Sequence, residues 1–137
     1  KAVNAGKVLS QLESKEDQAH YLANMATGHE SRFILQTLAD VKELEQELDK
    51  LSQAWRSGNV QALYQTGIAT MIEDYPQVYQ TLMVERNRNW LPRIETLIQQ
   101  PEKKLILVGA LHLVGPDGLL EQLKSKGYQV NQYKPTI

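Results

Sequence analysis

His112 is the residue whose type and position in this chain best suit chemistry. It follows a short apolar run, Leu105 to Val108, that is typical of a strand buried on both faces, and it precedes a turn containing Gly115 and Pro116. In sheets with helical crossovers, ligands bind just beyond the carboxyl ends of strands. A neutral imidazole at this place could act as a general base or as a metal ligand. The alternative is an ordinary loop histidine whose ring is hydrogen-bonded by the backbone.

A second group of polar side chains lies on a helix predicted from Tyr75 to about Gln99. At about 100° per residue, Arg86 falls in the middle of an apolar stripe, Glu85 and Asn89 lie on one shoulder, and Asn87 lies toward the other. A buried, unpaired guanidinium is costly, so this position predicts a carboxylate or a bound anion beside Arg86.

These side chains could take part in a reaction or could simply hold the fold. Glu85 could be a carboxylate ligand or a general acid, and Arg86 could bind a substrate carboxylate or an oxyanion. The alternative is a structural ion pair, for example between Glu13 and Arg86. Glu13 ends the first predicted strand and would emerge at the same sheet edge as His112, although acidic residues at helix starts are common.

The elements that would position these residues form an α/β fold. We expect a small, largely parallel sheet with a large helical insertion, a long helix hairpin, and we interpret the chain as a fragment of a larger α/β domain. The predicted strands are residues 7–12, 104–109 and 128–134, and the predicted helices are residues 15–26, 30–57, 60–73, 75–99 and 116–126. Pro92 should kink the fourth helix or remove one of its backbone hydrogen bonds.

Composition limits the function classes. The 137 residues, 42% of them hydrophobic and 23% charged, fit one soluble domain over residues 1–137. Fifteen basic and sixteen acidic residues give no field that would attract nucleic acid. The lack of cysteine excludes thiolate chemistry, and no apolar run is long enough to span a membrane. Since the sequence begins at Lys1 rather than Met, we expect a processed form or part of a longer chain.

Several short motifs of this chain occur together in one known family. They are Glu-Arg-Asn at 85–87 followed by Trp90, Gly-Ala-Leu-His-Leu at 109–113, Gly115, Gly-Leu-Leu at 118–120, Gly-Tyr at 127–128 with Val130, and Leu-Glu-Ser at 12–14. In this combination the chain resembles the carboxyl-terminal half of the TraB/GumN family, whose relatives include Tiki-type metalloproteases and pheromone-shutdown proteins. The resemblance implies a hydrolase that depends on a divalent metal (Mn, Co or Zn), is a peptidase in Tiki-type members, and uses two Gly-X-X-His motifs.

The family's site residues carry over to this chain one by one. Gly109 and His112 match the second Gly-X-X-His, Glu85 and Arg86 match an acidic and basic pair, and Asn87 matches the amide that follows. The resemblance thus implies that His112, Glu85 and Arg86 are catalytic and that His112 and Glu85 are metal ligands. It places four further residues beside the substrate, namely Asn87, Asn89, Glu13 and Gly109. Because the first Gly-X-X-His is absent from this sequence, we expect the chain to be inactive by itself.

Three functions compete. The first is hydrolysis of a peptide or small-molecule substrate, and the second is a non-catalytic protein that sequesters a peptide or binds a partner in the same cleft. In the third, the long helices form a docking surface for a partner, and charge reversal at Glu43 and Glu47 would abolish the association. An exposed apolar sheet edge would favour a homodimer. The resemblance also suggests an extracytoplasmic location, either periplasmic or at the cell surface.

Overall fold

The computed structural model describes residues 2–133, and helices are the regular elements of this part of the chain. The α-helices are α1 (Lys15–Asn24), α2 (Glu30–Asp40), α3 (Leu44–Ser57), α4 (Val60–Leu63), α5 (Thr70–Asp74), α6 (Pro76–Tyr79), α7 (Arg86–Ile98) and α8 (Leu119–Ser125). Two π-helical segments, Tyr64–Ala69 and Gln80–Glu85, join α4 to α5 and α6 to α7. Short 3-10 turns occupy Val3–Ala5 and Ala110–His112.

Local sequence signals explain where several helices begin and end. Ser14 and Asp17 form a capping box at the start of α1, since the Ser14 hydroxyl accepts from the Asp17 N–H and the Asp17 carboxylate accepts from the Ser14 N–H. Gly58 ends α3 in the left-handed conformation, with φ 65°. Pro76 occupies the first turn of α6, where its missing N–H costs nothing. The helix start predicted at residue 15 and the helix end predicted at residue 57 are confirmed, and the start predicted at residue 75 lies one position before the observed one.

Two long helices are less regular than predicted. The helix expected over residues 30–57 is two helices, because residues 41–43 form a turn between α2 and α3. In the stretch predicted as one helix over residues 75–99, α7 continues on both sides of Pro92. The irregular part of that stretch is the π-helical segment Gln80–Glu85, which lies before the proline.

The predicted α/β fold with a parallel sheet is wrong, because residues 2–133 contain no strand. Residues 7–11, 103–109 and 128–133 have no regular secondary structure, and residue 12 lies in a bend. Position 134 of the third predicted strand lies outside the described residues. The apolar run was interpreted as buried on both faces, yet only Ile106 and Val108 pack inward. Leu105 and Leu107 are 84% and 81% exposed. A strand needs a hydrogen-bonded neighbour, and periodicity in one segment does not supply one.

The core consists of two apolar clusters that meet at the segment carrying His112. The first contains Ala54, Leu63, Ile68 and Val114, and the second contains Trp90, Leu91, Ile94 and Leu119. Leu113 packs against both clusters. The residues that follow segment 103–109 are therefore fixed between α3 and α4 on one side and α7 and α8 on the other.

Candidate functional site

His112 is buried at the end of a 3-10 turn. Its backbone N–H donates to the Gly109 carbonyl at 3.0 Å, and its side chain is only 5% exposed. The imidazole packs on the Trp90 indole, with ring centroids 4.5 Å apart and planes inclined by 46°. The turn and the indole together hold the ring in one orientation.

The Asn87 amide determines which nitrogen of His112 carries the proton. Asn87 Nδ2 donates to the backbone carbonyls of His112 (3.1 Å) and Asp117 (2.8 Å). Carbonyls only accept, so the amide NH₂ must face them, and Oδ1 must face His112 Nδ1 at 2.8 Å. An amide oxygen only accepts as well, so Nδ1 bears the hydrogen and Nε2 keeps its lone pair.

The surroundings keep His112 neutral. Burial, and after it the nearby Arg86 guanidinium, lower the pKa of the imidazole to about 4, although the Glu13 carboxylate opposes this shift. At neutral pH the ring is therefore uncharged, and Nε2 is a hydrogen-bond acceptor.

Nε2 of His112 has no hydrogen-bond partner among the described residues. No fully buried side-chain nitrogen or oxygen in residues 2–133 lacks a partner. Nε2 must therefore reach accessible surface. His112 lines a cleft of about 510 Å³ whose walls are mostly apolar, with Ser52 as a further polar residue and Leu48, Leu51, Trp55, Leu63 and Met83 among the apolar ones. The histidine thus borders a mostly apolar space.

Glu13 and Arg86 form a mostly buried ion pair beside the histidine. Arg86 Nη2 and Nε donate to the two carboxylate oxygens at 2.6 and 3.1 Å, and the Trp90 indole N–H donates to the same carboxylate at 3.1 Å. The two charged side chains are 13% and 14% exposed. The guanidinium carbon lies 4.9 Å from the centroid of the Trp90 ring. The carboxylate predicted beside Arg86 is therefore Glu13, as in the structural alternative.

The predicted site residues separate into two groups. Glu13, Arg86, Asn87 and His112 form one contiguous network around Trp90. Gly109 contributes the carbonyl that accepts from His112. Glu85 is exposed and makes no hydrogen bond or ion pair with the described residues, and Asn89, also exposed, donates to the Tyr21 hydroxyl.

The residues of this network do not form a complete metal site. Within residues 2–133 no three His, Cys, Asp or Glu side chains are grouped so that they could hold a metal ion. Both Glu13 oxygens already accept hydrogen bonds, and Glu85 is not part of the network. Among Glu13, Asn87 and His112, the only ligand atom that is not already hydrogen-bonded to a described residue is His112 Nε2. Hydrolytic metal sites usually take about three protein ligands.

Tyr79 and Asp117 belong to the network but were not predicted. The Tyr79 hydroxyl donates to the Asp117 carboxylate at 2.6 Å, and burial together with this carboxylate raises the pKa of the hydroxyl. In a regular helix, Tyr79 and Asn87, eight positions apart, would point about 80° apart. The π-helical segment Gln80–Glu85 contains wider turns, which lets both residues reach Asp117. The pairing depends on this irregularity, which a regular helical wheel cannot show.

Comparison with known proteins identifies one family. A family model described as the TraB/PrgY/gumN family matches residues 1–132, nearly the whole chain. The chain has no significant match among curated proteins or among solved structures. Within residues 2–133, no helix combines the length and hydropathy that a membrane span requires.

Proposed function

Because this chain belongs to the TraB/PrgY/gumN family, we propose that it forms part of a hydrolase acting on peptides, in which His112 is the proton acceptor. The observation that supports this proposal is the state of the imidazole. Its Nδ1–H is held by Asn87, its Nε2 lone pair has no partner within residues 2–133, and the residue lines a cleft. A general base needs this arrangement, with one ring nitrogen anchored and the other free to accept.

In the proposed reaction Nε2 removes a proton from a water molecule as the water oxygen attacks the substrate carbonyl carbon. The same nitrogen then returns the proton to the leaving amine, so His112 is regenerated. The Glu13 carboxylate favours the doubly protonated ring that must form between these steps, and the Arg86 guanidinium, which holds Glu13, opposes it. Within residues 2–133 no three potential ligands lie together, so no step is derived through a metal ion.

The proposal is tested by peptide hydrolysis in the full-length natural protein. His112→Ala should lower kcat/KM by about 10²-fold or more, the usual contribution of a general base. His20→Ala is the matched control, because His20 is exposed on α1 and, among the described residues, its ring bonds to Asn24 of the same helix. Both variants are assayed with and without added Mn²⁺, Co²⁺ or Zn²⁺. Equal activity of His112→Ala and wild type would contradict the proposal.

A second function, peptide sequestration without hydrolysis, is favoured by the walls of the cleft. Its apolar residues suit a non-polar side chain, and no described group of residues completes a metal site. In this case Trp55→Ala should weaken peptide binding, because Trp55 is a large cleft residue that is 64% exposed. His112→Ala should leave the affinity unchanged. Fluorescence titration with intact peptide, followed by mass spectrometry of the recovered peptide, separates binding from cleavage.

A further inference from the structure

We infer that Tyr79 is a positioning residue for His112 and that it acts through Asp117 and Asn87. This inference rests on the proposed function, since it concerns how the open nitrogen of the same histidine is maintained. Tyr79 itself does not contact the imidazole. Its effect is carried by a chain of hydrogen bonds between partly or fully buried groups.

Asp117 is the residue that connects Tyr79 to Asn87. Its carboxylate accepts from the Tyr79 hydroxyl at 2.6 Å, and its backbone carbonyl accepts from Asn87 Nδ2 at 2.8 Å. Gln122 Nε2 donates to the same carbonyl at 2.7 Å. Tyr79 therefore fixes the side chain of Asp117, while the side-chain amides of Asn87 and Gln122 bind its backbone carbonyl.

Asn87 has little freedom once Asp117 is in place. It is 1% exposed, and within residues 2–133 its NH₂ group donates to two carbonyls, those of His112 and Asp117. If the Asp117 carbonyl moves away, one buried N–H loses its acceptor, which is costly. Rotation of the amide would take its NH₂ off the His112 carbonyl as well and place it against His112 Nδ1. In that state Nδ1 must accept, the proton moves to Nε2, and Nε2 can no longer accept.

The direct measurement is the tautomer of His112 in protein labelled with ¹⁵N at histidine. In the wild type at neutral pH, we expect Nε2 to show the chemical shift of an unprotonated nitrogen and Nδ1 that of a protonated one. Tyr79→Phe should lower the ratio of the Nδ1–H form to the Nε2–H form by about three- to tenfold, the effect of losing one hydrogen bond. Because Gln122 still holds the Asp117 carbonyl, we expect a shift of the ratio and not a complete inversion.

Tyr75→Phe provides the matched control. It removes the same hydroxyl group from a neighbouring position, where Tyr75 also donates to a carboxylate, that of Asp40. Its hydrogen bond does not lead to His112, so both ¹⁵N shifts should stay at wild-type values. Asp117→Asn, which keeps an acceptor for Tyr79, should preserve the wild-type ratio, whereas Asp117→Ala should reproduce Tyr79→Phe.

The outcomes separate this inference from the proposed function. If Tyr79→Phe keeps the wild-type ratio while Asn87→Ala changes it, Tyr79 is only structural and the inference is wrong, although the proposed function stands. If the wild-type protein already carries its proton on Nε2, the basis of the proposed function is wrong as well. Urea unfolding of each variant shows whether a shift merely follows lost stability.

Discussion

At the scale of single residues, the neutral state of His112 makes the stability of the protein depend on pH. The pKa of the imidazole is about 4 in the folded protein and 6.5 in its reference state. Between these values the unfolded chain binds more protons, so the free energy of unfolding rises with pH. His112 should contribute up to about 3 kcal/mol across this range, fully present above pH 6.5 and lost as the pH falls toward 4.

Urea unfolding of the wild type and His112→Gln between pH 4.5 and 7.5 checks this prediction. The comparison is needed because carboxylates also titrate in the acid part of this range. We expect the wild type to lose more stability than the variant between pH 6.5 and 4.5. Parallel curves would show that the imidazole protonates as easily in the folded protein as in the unfolded chain.

A second prediction at this scale concerns the pair Glu13–Arg86. Both side chains are mostly buried and bonded through two hydrogen bonds, so Glu13→Gln and Arg86→Met should show a coupling energy of about 1–3 kcal/mol in a double-mutant cycle. The exposed pair Glu121–Lys124 on α8 is the control, and its coupling should be under about 0.5 kcal/mol. Chemical denaturation of the four proteins in each cycle gives both values. Equal couplings would mean that burial does not strengthen the first pair.

The sequence predicts some of these residue contacts and not others, for a physical reason. A charge inside an apolar stripe must find a partner, so a carboxylate beside Arg86 could be predicted, and Glu13 was a candidate. The sequence also marked Asn87 and His112 but not the contact between them. That contact joins residues 25 positions apart, and the Tyr79–Asp117 bond involves a residue that precedes a π-helical segment with no evident sequence signal.

At the scale of elements, helix ends could be predicted from the sequence, whereas the predicted sheet was wrong. Capping boxes, first-turn prolines and left-handed glycines act over a few residues, so the start of α1, the start of α6 and the end of α3 were predictable. A sheet depends on partners that are distant in sequence. Leu105–Val108 has the composition of a buried strand, but its side chains alternate between the core and solvent.

The loop that carries Asp117 gives an element-scale prediction at Gly118. A Cβ at this residue would lie 2.6 Å from the Val114 carbonyl oxygen and 2.7 Å from that of Leu113, so Gly118→Ala must displace the loop backbone. We expect it to destabilise the protein by about 2 kcal/mol. Gly109→Ala is the matched control, because φ and ψ are −60° and 140° at Gly109 and −69° and 147° at Gly118.

The two alanine variants are compared by thermal and urea unfolding. A Cβ at Gly109 meets only an ordinary contact, 3.5 Å from His112 Cδ2, so Gly109→Ala should change the stability by less than about 1 kcal/mol. A similar loss in both variants would show that backbone freedom, and not the crowding by the two carbonyls, makes glycine necessary at residue 118.

At the scale of the whole molecule, buried contacts are distributed unevenly. α7 contains four buried residues, Asn87, Trp90, Leu91 and Ile94, whereas α2 contains none. Ile34, Leu35 and Leu38 on α2 are each more than half exposed, and residues 103–108 make no backbone hydrogen bond with the described part of the chain. Segments with few buried contacts and few backbone hydrogen bonds open most easily. Local stability should therefore be highest in α7 and lowest in these two regions.

Amide hydrogen exchange tests this gradient and also the predicted homodimer. In dilute protein we expect strong protection in α7, weak protection in α2, and exchange near the rate of an unfolded chain at residues 103–108. If copies of the chain pair through this segment, its protection should increase with protein concentration while that of α7 stays constant. Leu107→Lys should then suppress the increase, because Leu107 is exposed in the single chain and a lysine on an edge segment discourages pairing. Strong protection of residues 103–108 at every concentration would instead show that their backbone groups are already bonded within one molecule, contrary to the fold described above.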